Sequence, residues 1–206
     1  KKDEHKNDWR KQPLGKIATD ILDIDYLEVR PKLHPSFLNE KNSKKNQIVI
    51  ATKSTAQAKH WNNPKGWEEL TEWHLNKGYK VLHASKEGGG PKGSIQLSED
   101  LKEVALEINS SKYFIGISSG LSWLAWALGS KVVLISGFTP EWIEFKNNCL
   151  RIINKDNCWG CWSFNTFNRG DWNWCPNHKN TPRQFECSKN IESFDVIRKI
   201  QEVKWI

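Results

Sequence analysis

The sequence predicts an α/β fold, a doubly wound parallel sheet, on three observations. Short apolar runs alternate with helix-patterned segments from Gln47 onward. The runs are continuous rather than alternating, as expected of strands covered on both faces. Glycines close the helix-patterned segments, at Gly78 and Gly129. Repeated strand, helix, strand specifies a parallel sheet with helices on both sides.

Residues 1–45 read as a peripheral linker region. Lys1–Lys11 is charged, with no apolar segment behind it that would make a secretion signal. Tyr26–Val29 alternates and suits a short strand. Arg30–Pro35 is an extended connector, because each proline disfavours helix in the residue before it. Lys41–Asn46 is a polar turn. Residues 46–206 form the folded domain. Gln47–Ala51 is its first strand, and a polar loop runs from Thr52 to Asn63. Pro64 then opens a helix with Trp67, Leu70, Trp73, His74 and Leu75 at helical spacing. Tyr79–Ala84 is the second strand, and Gly88-Gly89-Gly90-Pro91 is a flexible loop. Leu97–Asp100 starts a helix whose apolar stripe is Leu101, Val104, Ala105 and Ile108. Tyr113–Ile117 is the third strand, and the helix Leu121–Leu128 is apolar on nearly every side. Lys131–Ser136 and Leu150–Ile153 continue the sheet, and a helix near Ile191–Val203 closes it.

Composition narrows the function classes. With 206 residues the chain fits one domain, or one domain and a tail. No run approaches the roughly 20 apolar residues that span a bilayer. The net charge is +7, but no block of five or six like charges occurs. Bulk nucleic-acid binding is therefore not expected, whereas a small anionic ligand is. There is no methionine, which suggests a fragment or a chain cleaved upstream. The 12 tryptophans supply a large aromatic surface for cores, stacking or interfaces.

Two constellations carry chemistry. Ligands in this fold class bind beyond the carboxyl ends of the strands. There Ser118-Ser119-Gly120-Leu121-Ser122 turns a strand into a helix. Unpaired N–H groups and partial positive charge at a helix start suit a phosphate. The same residues also suit an ordinary serine cap. Lys59, within Ala58-Lys59-His60-Trp61, is placed to reach an anion at the neighbouring strand end. Taken alone, such a lysine reads as solvated.

Late in the chain, Cys158-Trp159-Gly160-Cys161 forms a C-x-x-C knuckle. Cys175 follows after thirteen residues and Cys187 after eleven more. Four thiolates on such turns suit a closed tetrahedral metal site with a structural role. Zinc is the default and iron is compatible. Two disulfides or a redox pair are the alternatives. The cysteine-rich loop spans 149–190, and Cys149 reads as a buried free thiol at a strand start.

The run from Ser118 to Gly129, with Val132 to Pro140, resembles the donor-binding half of bacterial heptosyltransferases. These have the GT-B architecture of two Rossmann-like halves. Ala58-Lys59-His60-Trp61 with Gly66-Trp67 is similar to their Lys-x-Trp segment. The protein-acting branch, the autotransporter heptosyltransferases, is the better match. Its late four-cysteine iron motif is resembled by Cys158, Cys161, Cys175 and Cys187. Gly15–Leu22 and Arg30-Pro31-Lys32 look like its inter-domain region. The lipopolysaccharide-acting relatives usually carry Asp-Thr-Gly where this chain has Ser118-Ser119-Gly120, and His where it has Trp123.

The resemblance implies a C-terminal donor half of a cytoplasmic GT-B enzyme. It would transfer heptose from ADP-heptose to serine hydroxyls of an autotransporter adhesin. By position, Lys59 contacts the diphosphate or sugar. Ser119, Gly120, Leu121 and Ser122 hold the diphosphate, and Ser118 sits at the turn's start, with no acid role expected. Thr139 and Pro140 border the sugar. The general base belongs to an absent N-terminal half, so the chain alone is expected to bind nucleotide weakly and not to turn over. A homo-oligomer and a four-cysteine iron site, with zinc as the alternative, are also implied. Two other readings remain open at this point: a non-catalytic metal-ribbon module that binds nucleic acid or protein through its Trp-rich loop, and a GT-B transferase using another nucleotide sugar.

Overall fold

The computed structural model describes residues 8–38, 44–166, 168 and 170–204. The chain enters through helix α1 (Leu14–Ile21), which lies inside the stretch expected to be a linker. Its first amide, Leu14 N–H, donates to the Ile143 carbonyl at 2.9 Å, so the helix is docked on the domain. Tyr26–Val29 forms no strand, contrary to its alternating pattern. Its attachments are made by side chains rather than by a backbone ladder. Tyr26 lies over Gly15. The Glu28 carboxylate accepts from the Lys146 and Asn147 amides at 2.9–3.1 Å. Residues 41–43 of the expected polar turn lie outside the described residues.

The sheet begins with β1 (Gln47–Ala51), buried throughout. Helix α2 (Gly66–Asn76) and strand β2 (Lys80–His83) follow, with Gly78 at φ +79° reversing the chain between them. A two-residue strand, β3 (Ile95–Gln96), had no sequence signal because both residues are exposed and the run is too short for periodicity. It is held by parallel pairing to β2 and by His83 Nδ1 to Gln96 Oε1 at 2.8 Å. Helix α3 (Leu101–Ser110) starts at Asp100, whose carboxylate accepts from the Lys102 amide at 2.8 Å. Its buried stripe is Val104, Ala105 and Ile108. Leu101, expected in that stripe, is exposed, as the first residue of the helix directly after its Asp100 cap. Then come β4 (Phe114–Ile117), α4 (Gly120–Ala127), β5 (Val132–Ile135) and β6 (Cys149–Ile152). Short helices α5 (Cys161–Phe164) and α6 (Glu186–Lys189) lie in the cysteine-rich loop, and α7 (Ser193–Glu202) ends the fold.

All strand pairs are parallel, in the order β3-β2-β1-β4-β5-β6. This is the doubly wound order, and its direction reverses between β1 and β4. Alternate residues of β1 feed two cores. Ile48 and Ile50 meet Leu70 of α2 and Val196 and Ile200 of α7. Val49 and Ala51 meet Ile108 of α3 and Ala125 and Trp126 of α4. Each such buried aliphatic contributes about 1.5–3 kcal/mol, which explains why continuous apolar runs were readable as strands. Cys149 begins β6 as a half-buried free thiol, pushed up to about 11 by burial. No helix among the described residues is long and apolar enough to cross a membrane.

Candidate functional site

The reversal between β1 and β4 opens a crevice at the carboxyl end of the sheet. From β1 the chain runs into the loop that carries Lys59. From β4 it runs into Ser118 and Ser119, and α4 begins at Gly120. Ser119 is extended, at φ −149° and ψ 168°, and makes no side-chain cap, so it starts a helix whose first amides have no partner within the helix. A side chain at Gly120 would meet nothing within 4 Å, so the space above this turn is open to a ligand. The Ser119 hydroxyl is buried and has no partner among the described residues.

A cavity of about 180 Å³ sits on this turn. Ser118, Ser119 and Gly120 line it, Lys59 comes from the first crossover, and Thr139 and Glu144 come from beyond β5. Leu14, Trp123, Ile143 and Trp162 form its apolar walls. A second cavity of about 350 Å³ shares Lys59, Ser119 and Gly120 and extends toward Lys53, Glu87 and Trp172. The structure therefore brings together the amine and the serine turn that the sequence singled out separately. Burial pushes the Lys59 amine below the usual lysine value, and the nearby Glu144 carboxylate opposes that shift. Its Nζ lies 5.5 Å from the centroid of Trp174.

Other expected residues are placed differently. Ser122 is fully buried and donates its hydroxyl to the Ile117 carbonyl at 2.6 Å. It is thereby committed to capping β4 and turns away from the cavity. Leu121 packs on the α3/α4 core and lines neither cavity. Pro140 is buried and packs toward Gly160, also away from both cavities. Thr139 lines the smaller cavity, with its hydroxyl 2.6 Å from that of Ser136. His60 is a structural residue, its Nε2 accepting from the Ser54 amide at 3.1 Å.

Sequence reasoning missed Glu144 and Arg151. Glu144 is 2% exposed and lines the cavity. Ser118 Oγ donates to its Oε1, and Arg151 Nη2 donates to its Oε2. The available signal was a charge inside each of two apolar runs, Ile143-Glu144-Phe145 and Leu150-Arg151-Ile152. Buried charges in such runs are retained only with partners.

The four cysteines of the late loop converge around the carboxyl end of β5. Gly160 at φ +75° makes the knuckle turn, and its amide donates to the Gly137 carbonyl at 2.8 Å. Cys161, Cys175 and Cys187 are buried and Cys158 is half-buried; all are free thiols. Burial, followed by the neighbouring sulfurs, pushes Cys161 up and Cys187 up to about 12. Cys158 is also raised by burial, although a hydrogen bond with Cys161 opposes this. Buried sulfurs that resist one another's ionisation are the kind of donors a cation would neutralise, so their chemistry suits a metal, but no three of the four sulfurs lie mutually within 4.8 Å. Among the described residues, the donors brought closest together differ from the expected four-thiolate set. Donor atoms of Cys158, His178 and Glu186 lie within 4.8 Å of one another. Glu186 is engaged by Arg183 at 2.6 and 2.9 Å, which makes it a poorer ligand than a free thiolate.

No protein-family model matches the chain. It is 38% identical over 205 residues to the autotransporter heptosyltransferase BAHTCr of Citrobacter rodentium, covering 92% of this chain and 49% of that protein. It is 37% identical to the autotransporter heptosyltransferase TibC of Escherichia coli O78:H11, with the same coverage. A relative from Burkholderia thailandensis, 33% identical over 77% of this chain and 40% of its own length, is named an inactive autotransporter heptosyltransferase, BimC. The chain thus spans about half the length of the curated relatives it matches. Among solved structures, the iron-containing dodecameric glycosyltransferase TibC superposes with a TM-score of 0.86 at 35% identity, covering 99% of this chain and 56% of that one. TibC has also been solved with ADP-D-beta-D-heptose. The ADP-heptose lipopolysaccharide heptosyltransferase II of E. coli shares the fold, with a TM-score of 0.63 at 15% identity over 96% of this chain and 63% of that one. Over the half of their length that it spans, the chain is a homologue of the autotransporter heptosyltransferases, with the GT-B type of parallel sheet.

Proposed function

We propose that this chain binds the ADP-heptose donor of a heptosyltransferase that modifies serine hydroxyls of an autotransporter adhesin. The observation that carries this reading is that Lys59 and the Ser119–Gly120 turn line the same cavity. The diphosphate lies between that ammonium and the first amides at the start of α4. In transfer, the bond from the sugar's anomeric carbon to the diphosphate oxygen breaks. A bond from that carbon to the acceptor oxygen forms. Lys59 and the helix start stabilise the charge gathering on the departing ADP. The acceptor's proton goes to a general base in the acceptor-binding half of the enzyme.

Cys158, Cys161, Cys175 and Cys187 hold a structural metal, iron rather than zinc on the strength of the kinship with iron-containing TibC. The metal's contribution is to clamp a loop that has little regular structure of its own. Residues 1–45 join the two halves of the enzyme, which works in the cytoplasm as a homo-oligomer. No nucleic acid takes part.

Calorimetric titration of the chain tests the donor reading. ADP and ADP-heptose are expected to bind, UDP-sugars and single-stranded oligonucleotides are not, and the chain alone transfers no heptose. Oligonucleotide binding that weakens with salt, together with indifference to ADP, would overturn it in favour of a nucleic-acid module. Heptose transfer by the chain alone would overturn the division of labour between the halves.

A further inference from the structure

The cavity on the β4–α4 turn has two chemically different ends. Lys59, the Ser119 hydroxyl, which has no partner among the described residues, and the start of α4 offer donors and positive charge. Facing them is Glu144, a buried carboxylate. An acid so close to an anion's binding place costs electrostatic energy, so its position needs a reason. Its partners supply one. Ser118 Oγ donates to Glu144 Oε1, which commits the serine's single proton. The hydroxyl oxygen is then left to the cavity as an acceptor. Arg151 Nη2 donates to the other carboxylate oxygen and so fixes the carboxylate's orientation. Arg151 Nε and Nη1 are buried without partners among the described residues, so this arrangement is retained at a cost. Acceptors repel phosphate oxygens but bind hydroxyl groups.

We propose that Ser118, oriented by Glu144 and Arg151, forms a hydroxyl-reading subsite for the donor's sugar, distinct from the diphosphate subsite at Lys59 and Ser119. The inference rests on the donor-binding reading above and adds which end of the cavity reads the sugar. Ser118 is the contacting residue; Glu144 and Arg151 are positioning residues that fix the direction of its proton.

Calorimetric titration of the chain with ADP and with ADP-heptose tests it, using Ser118→Ala and Glu144→Gln. Ser118→Ala keeps the Glu144–Arg151 pair intact and removes only the hydroxyl. It is expected to leave ADP affinity within about twofold and to weaken ADP-heptose about tenfold, the value of one hydrogen bond of this kind. Glu144→Gln is expected to bind ADP as well as or better than the parent, because a negative charge is gone. It binds ADP-heptose more weakly, because the serine proton is no longer fixed. A thermal melt checks folding, and Ser118→Ala decides alone if Glu144→Gln does not fold. Equal losses for both ligands, or unchanged ADP-heptose affinity in Ser118→Ala, would overturn the subsite. If the parent chain binds neither ligand, the donor reading itself falls, and the subsite with it.

Discussion

Lys59 reaches over Trp174, with its Nζ 5.5 Å from the ring centroid. The amine of the proposed anion site thus rests on the cysteine-rich loop. The backbone repeats the link, since the Gln57 amide donates to the Trp172 carbonyl at 3.0 Å and the Ala58 amide to Asn173 at 3.2 Å. Metal removal is therefore expected to reach the donor site. Stripping the purified chain with a chelator should weaken ADP binding about threefold to tenfold, the scale of one cation–π contact plus a hydrogen bond. Tryptophan emission should shift to longer wavelength as the loop loosens. Unchanged ADP affinity in metal-free protein would separate the two sites.

Replacing the amine itself should cost more. Lys59→Ala is expected to lower ADP affinity about tenfold to hundredfold, as for a charge-assisted hydrogen bond. Lys59→Arg should restore part of it, because the wider guanidinium must fit a partly buried site. The pH dependence has a definite sign. Burial depresses the lysine, so its charge is lost at a pH below the usual lysine range. ADP affinity should fall as pH rises through that depressed value, and the fall should vanish in Lys59→Ala. Calorimetry between pH 7 and pH 10 reads this directly.

The sheet was legible because parallel strands buried on both faces leave continuous apolar runs, as at Ile48-Val49-Ile50. The serine turn was legible because it sits between such a run and a helix. Elements held by side chains were not. Tyr26–Val29 alternates like a strand, yet Glu28 and Tyr26 anchor it without a ladder. Lys59 and Ser119 are 60 residues apart, and only the order of the strands brings them together. Glu144 was overlooked because its worth depends on Ser118, just past β4, and on Arg151, within β6. Ser122 misled for the opposite reason: its hydroxyl satisfies the backbone locally.

Gly137 ties the sheet to the cysteine loop. A Cβ there would stand 2.3 Å from the Cys187 carbonyl oxygen and 2.5 Å from its carbon, both backbone atoms that cannot step aside cheaply. Gly137→Ala is expected to displace the Cys187 turn and lose about 1–3 kcal/mol of stability, as overpacking does. Bound metal per chain, measured by elemental analysis, should fall with it. Full metal content together with parental stability would mean that the turn has room the structure does not provide.

His74 offers a prediction about acid stability that does not involve the donor site. It is fully buried in α2, with Nδ1 2.6 Å from the Leu70 carbonyl and Nε2 2.5 Å from the Tyr113 hydroxyl. The Leu70 carbonyl can only accept, so Nδ1 carries the proton and Nε2 accepts from Tyr113. The neutral ring satisfies both contacts, whereas a protonated ring would bring a charge into the core. Burial accordingly pushes His74 down to about 4, although the Leu70 bond opposes it. Its folded value lies below its unfolded value of about 6.5. The unfolded chain therefore binds the proton first, and the folded state loses stability as pH falls from about 6.5 toward 4. The full loss is about 3 kcal/mol, reached near the lower value. Urea midpoints at pH 7, 5.5 and 4.5 should decline in that order. His74→Gln should start from a lower midpoint at pH 7 and show a shallower decline. An identical decline in parent and His74→Gln would assign the acid sensitivity to other groups.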